Sequence, residues 1–200
     1  FIRLGTSGGV QPDIKPGTLA IASYALGLDS TGVYYEQAPE DGIIEKIESS
    51  AEKILTGAAA NTSRFKGKII PYASKASPEV TKALANQAKK AGSSFGVGIT
   101  VSSPGFYGPS SRYIDGLKNT LPDIKGSLSK LNIDGLKVLN MEMESSLLFH
   151  LCSQMGYHAG TICTVISTSK DSDAVVNYDQ AIASTIEIGL KALVELKTSA

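Results

Sequence analysis

Short continuous apolar runs alternate along the chain with longer stretches in which apolar residues recur every three or four positions. Phe1-Ile-Arg-Leu4 reads as the end of a buried strand, and Gly5-Thr-Ser-Gly-Gly9 as a tight polar loop that follows it. Pro16-Gly17 turns the chain into a second apolar run, Thr18 to Ser23. Lys66 to Ala73, Phe95 to Ser102 and Tyr157 to Ile166 read as further strands. Asp41 to Leu55 and Pro78 to Ala91 carry helical periodicity, the second opened by Ser77 as cap and Pro78 at the first helical position. Val138-Leu-Asn-Met-Glu-Met-Glu-Ser145 is a strand end that delivers two carboxylates, Glu142 and Glu144. From Ser146 the spacing turns helical, with Leu147, Leu148, Leu151, Cys152 and Met155 on one stripe. Tyr178 to Leu196 predicts a long closing helix. Strands alternating with helices predict an α/β sandwich around a largely buried central sheet. Without an internal repeat or a linker-like segment, a single domain over residues 1–200 is expected.

Charge narrows the range of partners. Nineteen basic and nineteen acidic residues cancel, which argues against a nucleic-acid groove or an anionic membrane surface, so any anion must be met by a local site. No stretch of about 18 apolar residues and no signal peptide is present, and a cytoplasmic protein is expected. Cys152 and Cys163 lie in apolar segments without metal-ligand spacing, which fits buried reduced thiols rather than a disulfide or a metal site. His150, in mid-helix, and His158, entering a strand, read as structural.

Three clusters carry candidate chemistry. Glu142 and Glu144 sit at a strand-to-helix corner, where a carboxylate can accept paired hydrogen bonds from a vicinal diol; alternatively both are solvated or cap the helix at its positive end. Arg3 beside Gly5-Thr6-Ser7-Gly8-Gly9 offers a planar cationic fork, hydroxyls and approachable backbone amides, a set suited to phosphate, although a plain glycine-rich turn accounts for the same residues. Ser102-Ser-Pro-Gly-Phe-Tyr-Gly-Pro-Ser-Ser-Arg112 is a loop with an aromatic and a cation. Phe106 can stack on a planar base while Arg112 bonds a carbonyl oxygen, or the segment is a surface loop anchored by one ring.

Arg-x-Gly-Thr-x-Gly, then Phe-Tyr-x-x-x-x-Arg, then Asn-x-Glu-Met-Glu-Ser, in this order, resembles the nucleoside phosphorylase family, and most closely its uridine phosphorylase branch. The resemblance runs from Phe1 to about Ile166. It implies a three-layer αβα sandwich with a mixed central sheet and the reversible phosphorolysis of uridine to uracil and ribose 1-phosphate. By resemblance, Arg3, Gly5 and Thr6 would bind phosphate, and Thr6, Glu142, Met143 and Glu144 would surround the ribose. Phe106, Ser110, Arg112, Val165 and Ile166 would line the base pocket, and Arg3, Thr6 and Glu144 would carry catalysis. Phosphate is implied as co-substrate, with no other cofactor and no metal in the site. A homodimer or a trimer-of-dimers hexamer is implied as the assembly.

The sequence also departs from the pattern of that branch. Uridine phosphorylases usually place a glutamine two residues before the loop arginine, and here the position is Ser110, too short for a bidentate contact with uracil. Purine-specific relatives carry a Ser-Asp pair after the late strand; the corresponding stretch, Cys163 to Thr168, holds no acid, although Asp171 and Asp173 follow closely. A purine phosphorylase, a nucleosidase of the same fold and a non-catalytic nucleoside-binding protein are therefore the alternatives. Further phosphate groups, a glycine loop and an arginine, are expected before Phe1, so the domain is expected to lack its N-terminal portion.

Overall fold

The computed structural model describes residues 1–36, 42–168 and 178–198. In these residues seven strands and five α-helices are ordered β1 (Ile2–Gly9), β2 (Leu19–Gly27), α1 (Gly42–Ala58), β3 (Tyr72–Lys75), α2 (Pro78–Lys90), β4 (Phe95–Ser102), α3 (Ile124–Leu128), β5 (Asn132–Ile133), β6 (Leu136–Glu142), α4 (Ser145–Gln154), β7 (Gly160–Ser167) and α5 (Tyr178–Thr198). The fold is a mixed α/β one. β1 pairs β7, β2 pairs β4 and β4 pairs β6 in parallel, whereas β7 and β2 are antiparallel.

The sheet does not stay open. β6 returns to β1 in antiparallel register, Gly8 opposite Met141 and Gly9 opposite Asn140, so that β1, β7, β2, β4 and β6 form a closed ring. Irregularities at Ser7/Gly8, Ala22/Tyr24 and Ile99/Thr100 interrupt the ladders, and such bulges bend and twist strands enough to close a small sheet. This corrects the expected three-layer sandwich, which requires two helical layers on an open sheet. The helices here cover three separate apolar clusters around the ring. Leu84 of α2 and Ile188 of α5 pack on Ile21 and Ile162; Ile47 of α1 and Leu128 of α3 pack on Leu26, Ile99 and Val101; Phe149 of α4 packs on Ala22 and Ala25.

The helices follow their apolar spacing. In α1, Ile44, Ile47, Ala51 and Leu55 are the buried face, and in α2 it is Val80, Ala83, Leu84 and Ala88. Ser77 does not use its side chain as a cap. Its hydroxyl accepts the Ala159 amide at 2.9 Å, which ties the start of α2 to the chain entering β7. Two expected strands differ. The run from Lys66 is a strand only over Tyr72–Lys75, because Gly67 turns with positive φ and Pro71 has no N–H to donate. The expected loop Gly5–Gly9 is the second half of β1, since pairing with β7 supplies the ladder that its small polar residues do not favour by themselves.

Candidate active site

Closing β1 against β6 and β7 brings the strand ends that carry the candidate chemistry to one pocket of about 560 Å³. Arg3, Gly5 and Thr6 reach it from β1, and Glu142, Met143 and Glu144 from the corner between β6 and α4. Phe106, Ser110 and Arg112 enter from the loop after β4, and Ile166 from β7. Val165 does not join them. Val165 is fully buried and packed toward Gly9, whereas Ile166 and Ser167 after it line the pocket.

One end of the pocket is an arginine clasped by two carboxylates. Arg3 Nη1 lies 3.1 Å from Glu142 Oε2 and donates to the Cys163 sulfur at 3.0 Å, while Nη2 donates to Glu144 Oε2. The guanidinium folds back across β1 over Gly5, where a Cβ would meet Nη1 at 2.6 Å and push the guanidinium from this position. Burial opposes the charge on Arg3, but the Cys163 sulfur and the two carboxylates outweigh it and raise the pKa above the ordinary arginine value. Burial pushes the Cys163 thiol up to about 12, so it faces Arg3 as a neutral thiol.

The two glutamates divide the roles that their spacing left open. Glu142 is buried, and its carboxylate accepts from the Glu144 and Ser145 amides at 3.1 Å and from the Ser102 hydroxyl at 2.5 Å. Ser102 Oγ in turn accepts the Ser146 amide at 2.9 Å. Glu142 therefore satisfies the free amides at the start of α4, a fixed structural task. The Glu144 side chain is 58% exposed, and its named contact is the Arg3 pair. It is the carboxylate of the two that is able to change partner.

The other end is cationic and aromatic. Arg112 Cζ sits 3.9 Å over the Phe106 ring, a stacked cation–π contact, and its buried Nε has no hydrogen-bond partner. Ser7 Oγ, also on the pocket wall, is likewise buried without a partner. Buried polar atoms left unpaired cost free energy, and two of the three such side-chain atoms among the described residues belong to residues that line this pocket, the third being Asn140 Nδ2. Ser110 donates to the Gly105 carbonyl at 3.0 Å, so its hydroxyl fixes the loop.

Sequence reasoning missed Lys125, Met141, Ser103 and Ser167, which also line the pocket. Met141 and Ser167 were within reach, since each lies one or two residues from a residue already singled out on the same strand. Lys125 had no such signal. The histidines lie elsewhere: His150 is buried in α4, its Nε2 2.8 Å from the Tyr35 carbonyl, and His158 pairs with Glu79. Asp171 and Asp173 lie outside the described residues. Among the described residues no group of three or more His, Cys, Asp or Glu side chains is placed to hold a metal, and no helix is long and apolar enough to cross a membrane.

The sequence that builds these strands matches a known superfamily. The sequence profile of the Phosphorylase superfamily matches residues 1–195, and the chain belongs to that superfamily. Within it the likeness is to uridine phosphorylases. That of Haemophilus influenzae is 32% identical over 166 residues, 83% of this chain and 52% of that protein; that of Escherichia coli is 28% identical over the same shares. A Trypanosoma brucei nucleoside phosphorylase whose crystal structure shows uridine phosphorylase activity has a TM-score of 0.82 to this chain at 27% identity, over 97% of this chain and 63% of its own. The chain spans about half the length of the Haemophilus and Escherichia relatives.

Proposed function

We propose that the protein catalyses the reversible phosphorolysis of uridine-like nucleosides, with phosphate as co-substrate. The observation that carries this reading is the polarity of the pocket: a carboxylate-clasped arginine at one end and an arginine stacked on an exposed aromatic ring at the other. The ends suit the two halves of the reaction. Arg3 and Glu144 satisfy each other and can release each other, the planar fork of Arg3 to two oxygens of a phosphate and Glu144 to the paired hydroxyls of a ribose. Thr6 lines the same pocket, and Met143 gives the sugar an apolar contact. Phe106 and Ile166 flank the base, and Arg112 stabilises charge that develops on the base oxygens as the glycosidic bond lengthens. Positioning of phosphate beneath the anomeric carbon supplies the remainder.

The same proposal includes self-assembly as a homodimer or a trimer of dimers. Ile186, Leu190, Leu193 and Val194 form an exposed apolar stripe along α5, which supports a partner there. A cytoplasmic location belongs to this reading as well. Ser110, short and already bonded to Gly105, favours relaxed base choice, so a purine nucleoside is the second reading.

Turnover of uridine and of inosine, each with and without phosphate, separates these reactions: loss of uridine turnover when phosphate is withheld is the expected result. Phosphate-independent cleavage would instead make the protein a nucleosidase. Glu144→Ala is expected to lower kcat/KM for the nucleoside by roughly two orders of magnitude, about 3 kcal/mol, through loss of a charged hydrogen-bond acceptor. Near-normal turnover by the folded variant would remove Glu144 from the ribose site.

A further inference from the structure

Lys125 is the one cation of the pocket that the proposed reaction has not used. It occupies the second position of α3, and two bonds fix the segment that carries it. The Asp123 side chain accepts the Gly126 amide at 2.9 Å. Ser111, the neighbour of Arg112, accepts the Ile124 amide at 2.8 Å and donates to the Leu121 carbonyl at 2.7 Å from a left-handed backbone conformation, φ 57°. The loop that positions Arg112 is therefore also the loop that positions Lys125. The ammonium lies over Gly8 of β1, where a Cβ would meet Nζ at 2.9 Å and Ser167 Oγ at 3.6 Å. These neighbours belong to the Arg112 and Ile166 side of the pocket.

Among the described residues the charges there do not balance. Among the described residues neither Arg112 nor Lys125 forms an ion pair, and both pocket carboxylates are engaged by Arg3 at the opposite end. Two partly buried cations that face one cavity without a counter-ion destabilise the folded chain, and an anion between them relieves that cost. We infer that Lys125 is a second base-contacting catalytic residue, whose ammonium shares with Arg112 the negative charge that develops on the carbonyl oxygens of the departing base. This rests on the nucleoside phosphorylase reading of the pocket. Burial and then repulsion from Arg112 hold the Lys125 pKa below the ordinary lysine value, so an arriving anion strengthens its charge. In the step itself the C–N glycosidic bond breaks with both electrons passing to the base. Phosphate oxygen forms the new bond at the anomeric carbon, and the base anion is held by the two cations until it takes a proton from solvent. Lys125 thereby reaches a part of the base that the short Ser110 side chain does not.

The test uses the full-length protein with Lys125→Met, which keeps length and loses charge, and Lys125→Arg. For Lys125→Met, kcat/KM for uridine is expected to fall roughly 10- to 100-fold, the scale of one charged contact made in the transition state. The phosphate KM should hardly change, and the melting temperature should hold or rise, because the substitution removes one of the two uncompensated cations. The loss should be smaller with 5-fluorouridine, because fluorine already stabilises the departing anion, and Lys125→Arg should recover part of the rate. Gly8→Ala, which crowds Nζ without altering its charge, should give a milder version of the same pattern. An equal loss on both nucleosides, or a rise confined to the phosphate KM, would overturn the inference. A wild-type protein that turns over no nucleoside would sink the functional reading instead. Lys125 is then tested by calorimetric titration with 5-fluorouracil at mildly alkaline pH, where equal affinity of wild type and Lys125→Met would overturn its placement and weaker binding by Lys125→Met would support it.

Discussion

Arg3→Ala is expected to lower kcat/KM of the proposed reaction by on the order of 100- to 1000-fold, about 3–4 kcal/mol, with most of the change in the phosphate KM. Among the described residues Arg3 is the one cation at its end of the pocket, and it brings a planar fork that matches two phosphate oxygens at once. Its removal also frees Glu144, which would then present an unneutralised carboxylate to an arriving anion. Both effects act against phosphate and neither against the base. Lys in place of Arg should recover only part of the loss, since an ammonium cannot span Glu142 and Glu144 together as the guanidinium does. Initial rates over a grid of phosphate and nucleoside concentrations separate the two KM values. Equal increases in both would mean that the substitution disturbs the fold rather than the phosphate site.

Much of this arrangement is legible in the chain before any coordinates. Apolar runs and helical spacing locate β2, β4, β6, β7 and the long helices, because each buries a face whose period is intrinsic to the element. The corner after β6 is legible for the same reason: the apolar period changes from strand to helix across Glu142 and Glu144. Closure of the sheet is not. It depends on β6 meeting β1 more than a hundred residues away in sequence, through bulges whose positions no local pattern announces. The Gly5–Gly9 segment shows the same limit, since glycine and hydroxyl residues favour a loop until β7 supplies a partner. Val165 is set apart from Ile166 by its complete burial, which the continuous apolar run of β7 does not announce. Lys125 is not legible either. Its segment has weak periodicity, and the Ser111 bond to Ile124 that brings it to Arg112 is a tertiary contact.

The second large effect concerns stability and comes from the carboxylate with the less adaptable role. Glu142→Ala removes at once the acceptor for two amides at the start of α4, the partner of the Ser102 hydroxyl and one side of the Arg3 clasp. Removing one member of a buried pair costs about 3–5 kcal/mol because the remaining charge and donors are left uncompensated. Arg3 keeps Glu144, which places the expected loss near the low end, about 3 kcal/mol. For a chain of this size about 1 kcal/mol corresponds to roughly 2–4 °C, so the midpoint of thermal unfolding should fall by roughly 6–12 °C. Glu142→Gln, which keeps an oxygen for the amides but no charge for Arg3, should fall between wild type and alanine. Glu144→Ala provides the contrast. Its pair with Arg3 is exposed on the Glu144 side, and an exposed ion pair contributes about 0–1 kcal/mol, so its melting temperature should stay close to wild type while its turnover collapses. The two glutamates are thus to be separated by measurement as they are by geometry, Glu142 buried against the α4 amides and Glu144 exposed beside Arg3. Equal destabilisation by Glu142→Ala and Glu144→Ala in the same calorimetric scan would show that this division of roles is wrong.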